Sequence, residues 1–229
     1  MNREKNIHEC ILVYVEFDGS GICPVSLELI GEAARLAEKA KMKVCAMAVG
    51  ENTGSLKSVL GHYPLEMVYL YENSGGFRAD AYAQAVEDCV GRICPSILLV
   101  GGTSEGRALA PRVAARIRTG ITADCTELDI DNWGNLVQTR PAFGGNIMAQ
   151  IITPYTRPQF ATVRYKIMDK AECIANPKGT IEICNIHSSK LKSRIKILDT
   201  VQKEKLPSIS EADVLIAGGR GLKSKKDLA

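Results

Sequence analysis

In the first half of the chain, hydrophobic residues occur alternately in short continuous runs, which are typical of buried strands, and at the wider spacing of amphipathic helices. Four apolar runs have the length and composition of strands: Cys10–Val15, Lys43–Val49, Glu66–Leu70 and Ser96–Val100. Apolar residues at helical spacing predict three helices: Leu29–Ala40, Tyr82–Ile93 and Leu109–Ile117. Strands that alternate with helices predict a parallel sheet that is covered on both faces.

After Gly120 the pattern changes to short strand-like runs with short connections and no long helix. The runs are Leu136–Thr139, Ile147–Thr153, Gln159–Arg164, Thr180–Ile186 and Arg194–Val201. The predicted fold is therefore α/β, with a mostly parallel sheet, helices on both faces, and an extension by antiparallel strands in the second half. The segment Pro207–Ser210 has the composition of a linker, which divides the chain into residues 1–206 and residues 207–229.

The composition is that of an ordinary soluble protein, because 45% of the 229 residues are hydrophobic and 24% are charged. No apolar run approaches the roughly 20 residues of a membrane-spanning helix, and residues 2–9 lack the apolar core of a secretory leader. We therefore expect a cytoplasmic protein without membrane insertion. The eight cysteines include no Cys-x-x-Cys pair and the three histidines stand apart, so no metal site is expected. Four cysteines lie in apolar runs and are expected in the core: Cys10, Cys45, Cys125 and Cys184.

The net charge of +3 is unevenly distributed along the chain. Residues 187–229 contain ten Lys or Arg and five Asp or Glu, whereas the remainder is slightly acidic. A nucleic-acid surface would require a basic face on the folded body with aromatic residues for stacking. The basic residues instead occupy a strand-like segment and a linker, so we interpret them as a solvated edge and tail and expect no nucleic-acid partner.

Two segments of the first domain could carry chemistry, but neither forms a catalytic constellation. The turn Gly101–Arg107 follows a buried strand and opens a helix, where α/β sheets bind phosphates; a tight turn with Glu105 near the helix start explains it equally well. The acidic residues Asp124, Glu127, Asp129 and Asp131 are typical of a solvated strand edge rather than of a pair for acid–base catalysis. The sequence therefore predicts no catalytic residues.

Thr139–Asn146 is the more distinctive segment of this half. Arg140 precedes Pro141, which favours an extended backbone, and Gly144–Gly145 permits a tight turn or the close approach of another group. Arg157 and Arg164 lie in comparable positions beside proline or at a strand end. Three such arginines indicate an anionic or electron-rich partner, with a hairpin that carries surface arginines as the alternative.

A second distinctive segment lies near the end of the chain. The apolar run Asp213–Ile216 predicts a strand that leads into Ala217–Gly221, a glycine-rich turn with a single arginine. Nucleotide-binding domains often begin in this way, because the turn lets backbone N–H groups approach a phosphate.

Further runs accompany Arg140–Asn146 and Gly218–Gly221 in the order and spacing found in electron-transfer flavoprotein alpha subunits, a family that the chain resembles. These further runs are Gly106–Arg107, Leu109–Arg116, Thr119–Thr126, Arg157–Gln159 and Ala161–Arg164, and with the two named segments they span about half of the chain. The chain departs from the usual family pattern at Phe160 and Tyr165.

The resemblance implies an electron carrier rather than an independent enzyme. In the family, the alpha subunit pairs with a beta subunit, and electrons pass through FAD between an acyl-CoA dehydrogenase-type or other redox partner and an acceptor. Residues 1–206 would be the amino-terminal domain, which holds no flavin of its own. Residues 207–229 would be the linker and the opening strand and turn of the FAD-binding domain, whose body is absent. FAD is therefore expected in the full-length protein but not retained by this chain.

The resemblance also assigns site residues. The incomplete FAD site would consist of four residues: Gly218, Gly219, Arg220 and Gly221. Arg140 would reach a second flavin, held by the beta subunit, in members that bifurcate electrons; other members hold AMP there. The alternative function is a stand-alone nucleotide-binding α/β protein that uses the Gly101–Arg107 turn.

Overall fold

The computed structural model describes residues 8–18, 21–175, 179–184, 193–199, 201, 209, 212 and 214–223. The chain divides into two compact units, Met1–Lys196 and Ile197–Ala229. All the described helices and strands lie in the first unit. None of the described helices is both long enough and apolar enough to cross a bilayer.

The described residues of the first unit contain twelve strands and four α-helices. The strands are β1 (His8–Val15), β2 (Phe17–Asp18), β3 (Gly21–Ile22), β4 (Lys43–Gly50), β5 (Met67–Glu72), β6 (Pro95–Gly101), β7 (Ile121–Cys125), β8 (Glu127–Ile130), β9 (Leu136–Ala142), β10 (Ile147–Ile151), β11 (Gln159–Val163) and β12 (Thr180–Cys184). The helices are α1 (Pro24–Ala40), α2 (Lys57–Leu60), α3 (Ala79–Ile93) and α4 (Ser104–Ile117). Two short 3₁₀ turns lie at Thr53–Leu56 and Phe143–Gly145.

Seven strands form the central sheet in the order β12-β5-β4-β1-β6-β11-β7, and every pairing within it is parallel. From β1 the chain adds β4 and β5 on one side, and then it returns to place β6 on the other side. The carboxyl ends of β1 and β6 therefore flank the topological switch point, which is where open α/β sheets form a crevice.

Helices cover both faces of this sheet, as predicted, because the central strands are apolar in both directions. On β1, Ile11 and Val13 face the cluster that contains α1, whereas Leu12 and Tyr14 face the cluster that contains α3 and α4. All four side chains are at most 1% exposed. Truncating a leucine buried to this degree typically costs about 2–5 kcal/mol, so this double-sided core dominates the stability of the unit.

The antiparallel strands of the second half form a sheet of their own, in the order β10-β9-β8. Phe143, Gly144 and Gly145, which connect β9 to β10, all have positive φ angles, so the glycines serve the tight turn that the sequence predicts. The α/β fold class is thus confirmed, with one added detail. Strands β11 and β12, which also come from the second half, join the central sheet in parallel.

Two predicted strands do not form among the described residues. In the segment Arg194–Val201, the Ser193 Oγ and the Arg194 N–H donate to the Asp80 carboxylate at 2.7 and 2.9 Å, which replaces a strand ladder by contacts near the start of α3. Val214–Ile216 are exposed and pair with no described strand, and Asp213 lies outside the described residues. A strand requires a neighbour for its backbone groups, and local apolar pattern alone does not supply one.

Candidate functional site

Polar residues follow the carboxyl ends of four neighbouring strands of the central sheet. Glu16 follows β1, Thr103 lies two residues after β6, Asp124 is the last but one residue of β7, and Arg164 follows β11. Because parallel strands all end at one edge, these side chains lie along the same rim of the sheet. The rim has an acidic part at β1 and β6 and a basic part at β7 and β11.

The acidic part is centred on Glu16, which is 6% exposed. Thr103 Oγ1 donates a hydrogen bond to Glu16 Oε2 at 2.7 Å, whereas Oε1 is buried without a partner among the described residues. Burial raises the pKa of Glu16 to about 7; the Thr103 hydrogen bond opposes this shift, and the nearby Glu105 carboxylate adds to it. A carboxyl group in this environment holds a proton near neutral pH.

The Gly101–Arg107 turn is filled by the protein's own atoms. A Cβ atom on Gly101 would lie 3.0 Å from Val25 Cγ1 and 3.1 Å from Glu16 Oε1, and a Cβ atom on Gly106 would overlap the Gly101 carbonyl oxygen. The glycines therefore serve close packing of α4 on β6. The Gly106 N–H donates to Thr103 Oγ1 at 2.9 Å, so the helix start is capped internally.

The filled and acidic turn disfavours a phosphate site. A phosphate in the turn would meet the carboxyl groups of Glu16 and Glu105, whose pKa values are both raised by burial, and neither group supplies a positive charge to hold it. The structure thus supports the tight-turn interpretation of Gly101–Arg107 and not the stand-alone nucleotide-binding alternative.

The basic part of the rim is organised around Asp124, whose φ of 63° places its backbone in the left-handed region. Arg164 donates to this carboxylate, with its Nη2 at 2.6 Å from Oδ2 and its Nε at 3.4 Å from Oδ1. Arg107, in the first turn of α4, adds a contact from Nη2 to Oδ1 at 3.4 Å. The pKa of Asp124 is consequently held below its usual range, first by Arg164 and then by Arg107 and Arg140.

Arg140 lies beside this ion-pair group, in strand β9 rather than in the exposed loop that the sequence suggests. The Thr126 N–H donates to Thr139 O at 2.9 Å, and the Arg164 N–H donates to Cys125 O at 2.9 Å, so Arg140 and Arg164 flank the same stretch of backbone. The Arg140 side chain is half-buried, and its Nε makes a long contact of 3.4 Å with Pro141 O. Its Nη groups have no partner among the described residues.

The three arginines singled out in the sequence do not all meet. Arg157 precedes β11 and Arg164 follows it, so they lie at opposite ends of a five-residue strand. Arg157 donates to Pro154 O, Thr156 O and Asn135 Oδ1, which fixes it within its own loop. Of these three arginines, only Arg140 and Arg164 belong to the basic part of the rim, where Arg107 joins them.

Two residues of this group escaped the sequence analysis as candidates. The sequence pattern presents Arg107 only as part of the Gly101–Arg107 turn and Asp124 only as part of a solvated acidic edge. That description fits Asp129 better, since Asp129 pairs with Lys39 on the surface at 2.6 Å. The signal that could have found both is position. Asp124 lies at the carboxyl end of β7 and Arg107 in the first turn of the helix after β6, at the edge where parallel topology brings distant residues together.

The glycine-rich segment of the second unit is exposed throughout Gly218–Leu222. Leu222 N–H donates to Gly219 O at 3.1 Å, so the predicted turn is present, with Arg220 at its corner. A flavin requires a pocket that buries most of its surface. The described residues here provide a turn and one guanidinium but no enclosing walls, so they do not by themselves fit the whole cofactor.

The cysteines behave as the sequence predicts. Cys10, Cys45, Cys125 and Cys184 are all buried, and none of the eight cysteines forms a disulfide. Within the described part of the chain, no group of three or more His, Cys, Asp or Glu residues could hold a metal ion.

Comparison with known proteins places these features in a family context. The family model described as electron transfer flavoprotein domain matches residues 11–188. Lactate dehydrogenase (NAD(+),ferredoxin) subunit LctC of Acetobacterium woodii is 45% identical over 98% of this chain and 54% of its own length. Electron transfer flavoprotein subunit alpha of Thermoanaerobacterium thermosaccharolyticum is 37% identical over 95% of the chain and 67% of its own length. Protein FixB of Clostridium saccharobutylicum is 40% identical over 95% and 66%. The chain thus spans about half to two thirds of the length of these relatives.

Proposed function

The chain belongs to the electron transfer flavoprotein family, and from this premise we propose that it forms the amino-terminal part of an alpha subunit. The complete protein would pass electrons through FAD between a dehydrogenase and an acceptor in the cytoplasm. Residues 1–206 would be the amino-terminal domain, and residues 207–229 would be the linker and the opening of the FAD-binding domain. The relative named as a lactate dehydrogenase subunit supports a place within a larger redox complex.

The observation that carries the subunit role is an exposed apolar tip on the β9–β10 hairpin, which we call the hairpin tip and define as Phe143, Ile147 and Met148. These side chains are 82%, 54% and 54% exposed. Clustered exposed apolar residues of this kind mark interaction sites. Strand β10 is also an edge strand of its sheet, so its outer backbone groups can pair with another chain. We propose that the hairpin tip contacts the beta subunit.

The basic part of the rim supports a second element of the proposal, a contact between Arg140 and the flavin or AMP of the beta subunit. Arg140 helps to lower the pKa of Asp124, but Arg164 and Arg107 make the hydrogen bonds and ion pairs to that carboxylate. The Nη groups of Arg140 therefore remain available as donors. A guanidinium in this state favours a planar, electron-rich or anionic group.

FAD itself would be held in the complete protein, with Gly218, Gly219, Arg220 and Gly221 as one part of its site. The turn formed by these residues could supply backbone donors and a positive charge to an anionic group. FAD would supply the redox chemistry, whereas these residues would orient it. Since the described residues enclose no flavin, we expect the chain alone to be purified without visible flavin absorbance.

Association with the beta subunit is the test of the proposal. The purified chain and its beta subunit would be titrated by calorimetry, and the double variant Phe143→Asp, Met148→Asp would be compared with Val59→Asp. Val59 is 44% exposed on α2 and provides a matched apolar-to-acidic change away from the hairpin tip. We expect the double variant to bind at least about tenfold more weakly, because two carboxylates would have to be desolvated at the interface. Equal binding by the double variant, or no binding by the wild-type chain, would overturn the proposal.

A further inference from the structure

The final residues of the first unit are attached to the start of helix α3 by one carboxylate. Asp80, the second residue of α3, accepts hydrogen bonds from the Ser193 hydroxyl at 2.7 Å and from the Arg194 N–H at 2.9 Å, one on each carboxylate oxygen. The first unit ends at Lys196, three positions after Ser193. The contact therefore lies where the chain leaves the first unit, and we call these hydrogen bonds the Asp80 clip.

The Asp80 carboxylate is well satisfied by donors on both sides of the clip. Its Oδ1 also accepts the Ala81 N–H at 2.9 Å, and the Ile195 N–H donates to Ser193 Oγ at 3.0 Å, so the hydroxyl accepts from its own segment while it donates to Asp80. Burial acts to raise the pKa of Asp80, but the hydrogen bonds from Ser193, Arg194 and Ala81 outweigh it and hold the pKa below its usual range. The carboxylate is therefore ionised at neutral pH, and its place in the first turn of α3 favours a negative charge.

Apolar packing contributes little to this attachment among the described residues. The side chains of Ile195, Ile197 and Leu198 are 53%, 42% and 87% exposed, so the residues that follow Ser193 remain largely in solvent. Hydrogen bonds to a charged group are roughly twice as strong as those between neutral groups. The Asp80 clip is therefore what holds the segment 193–195 against α3.

The place of the clip at the end of the first unit gives it a consequence for the complete protein. In the proposed function, on which this inference rests, residues 207–229 open the FAD-binding domain. We propose that Asp80 is a positioning residue for electron transfer, because by holding Ser193 and Arg194 it fixes the point from which the chain runs to that domain. Asp80 acts through the segment that it holds and not through contact with the cofactor.

The clip shortens the connection between the two domains. The chain from Ile195 to Val214, in the apolar run that would open the FAD-binding domain, is 19 positions long. Counted from Cys184, the last residue of β12, the same connection is 30 positions long. The effective concentration of a tethered domain falls roughly as the −3/2 power of the length of its connection. Release of the clip should therefore lower this concentration about twofold.

Limited digestion of the chain with trypsin tests whether the clip holds the segment, because trypsin cleaves after Arg194 and after Lys196. Asp80→Ala and Ser193→Ala should each speed cleavage at these two bonds about tenfold, since each removes a hydrogen bond that involves a charged group and cleavage follows the population of the released segment. Asp80→Asn should give a smaller increase, because its amide keeps one acceptor oxygen. Mass spectrometry of the fragments identifies the bonds that are cut.

A second carboxylate of α3 provides the control. Asp88 accepts the Tyr71 hydroxyl at 3.1 Å, so Asp88→Ala removes a hydrogen-bonded carboxylate from the same helix but leaves the clip in place, and the cleavage rates should not change. Ser193→Ala alters no residue of α3, and its urea denaturation midpoint should equal that of wild type. Cleavage of Asp80→Ala and Ser193→Ala at the wild-type rate would overturn the proposal, as would equally fast cleavage of Asp88→Ala.

Reduction of FAD in the complete heterodimer tests the positioning role. With an acyl-CoA dehydrogenase-type partner as the electron donor, Ser193→Ala and Asp80→Ala should reduce FAD about twofold more slowly than wild type. With dithionite, a small reductant that needs no docked partner, the rates should be unchanged.

The outcomes separate the positioning role from the proposed function. Equal dehydrogenase-linked rates in variants that trypsin cleaves faster would overturn the positioning role, and so would equal slowing with dithionite. A wild-type heterodimer that transfers no electrons would instead overturn the proposed function, whereas the cleavage rates of the chain alone would still decide whether Asp80 holds the segment.

Discussion

The two parts of the rim occupy equivalent places at the carboxyl ends of parallel strands, yet they have opposite chemistry. At β1 and β6, Glu16 is 6% exposed, accepts from Thr103 and has a pKa raised to about 7. At β7 and β11, Asp124 pairs with two arginines, and its pKa is depressed. The fold places polar groups at this edge in both cases, but burial without a counter-ion neutralises one carboxylate, whereas exposure beside arginines ionises the other.

The difference teaches that a position typical of ligand sites is not itself a site. The switch-point crevice, where α/β sheets most often bind ligands, is closed here by side chains and by the packing of α4. The neighbouring basic part of the rim retains donors, the Nη groups of Arg140, that have no partner among the described residues. Four variants test this comparison, from the largest expected effect to the smallest.

Gly106→Ala should produce the largest loss of stability, about 4 kcal/mol, because its methyl group would overlap the Gly101 carbonyl oxygen where α4 packs on β6. Urea denaturation of the two proteins measures the change. Gly91→Ala is the control, since Gly91 lies in α3 with no heavy atom within 4 Å of an added methyl group, and it should stabilise the protein slightly. A Gly106→Ala protein as stable as wild type would show that the crevice has room for a ligand.

Glu16→Gln should raise the free energy of unfolding, but only at higher pH. The pKa of Glu16 is about 7 in the folded protein and near 4.5 in the unfolded chain, so the folded state binds its proton more tightly. The stability that this proton contributes is fully present below about pH 4 and is lost as the pH rises to 7. We expect the glutamine variant to exceed wild type by about 2 kcal/mol at pH 8 and to match it near pH 4. A constant difference across this range would refute burial of an uncompensated carboxyl group.

Asp124→Asn should show the reverse dependence with a smaller amplitude. The pKa of Asp124 is depressed by Arg164, so its stabilising contribution is present above the unfolded pKa and is lost as the pH falls through the folded value. Wild type should exceed the variant by about 1 kcal/mol at pH 7, because both partners are partly exposed and screened. The difference should shrink below about pH 4. Denaturation curves of both proteins at pH 7 and below pH 4 measure it. If the two proteins are equally stable at pH 7, the ion pair contributes nothing to stability.

Arg140→Ala should hardly affect folding, with a change below about 0.5 kcal/mol, because within the described part of the chain the guanidinium makes only a long contact with Pro141 O. In the complete heterodimer, we expect it to lower the potential of the beta-subunit flavin, where one is present, since a nearby cation stabilises the anionic reduced form. A change on the order of 30 mV would correspond to about tenfold in the two-electron equilibrium. Arg140→Lys should restore part of this shift, because it keeps the charge but not the planar fork. An unchanged potential in a redox titration would leave Arg140 with a structural role only.

The local pattern predicts the elements of the central sheet because each is specified by its own residues. The alternation of Ile11, Leu12 and Val13 between two apolar faces requires helices on both sides, and the helical spacing in α1, α3 and α4 supplies them. The hairpin turn at Gly144–Gly145 was predictable for the same reason, since positive φ angles select glycine.

The local sequence pattern does not specify which strands pair with each other. Arg194–Val201 and Val214–Ile216 have strand-like sequences, but the described residues there make no ladder, because pairing depends on a neighbouring chain segment with free backbone groups. Likewise, strands β11 and β12 from the second half join the central sheet in parallel, because that sheet has strand edges with which they can pair.

By itself, the sequence determined the α/β class, the covered parallel sheet, the buried cysteines and the family. Only the tertiary structure decided which charges meet. Arg107, Asp124 and Arg140 are separated by 17 and 16 positions and belong to different elements, and they come together because β7 and β11 end beside the start of α4. Glu16 was likewise indistinguishable in sequence from a surface carboxylate, and its raised pKa follows from burial, which depends on packing across the whole sheet.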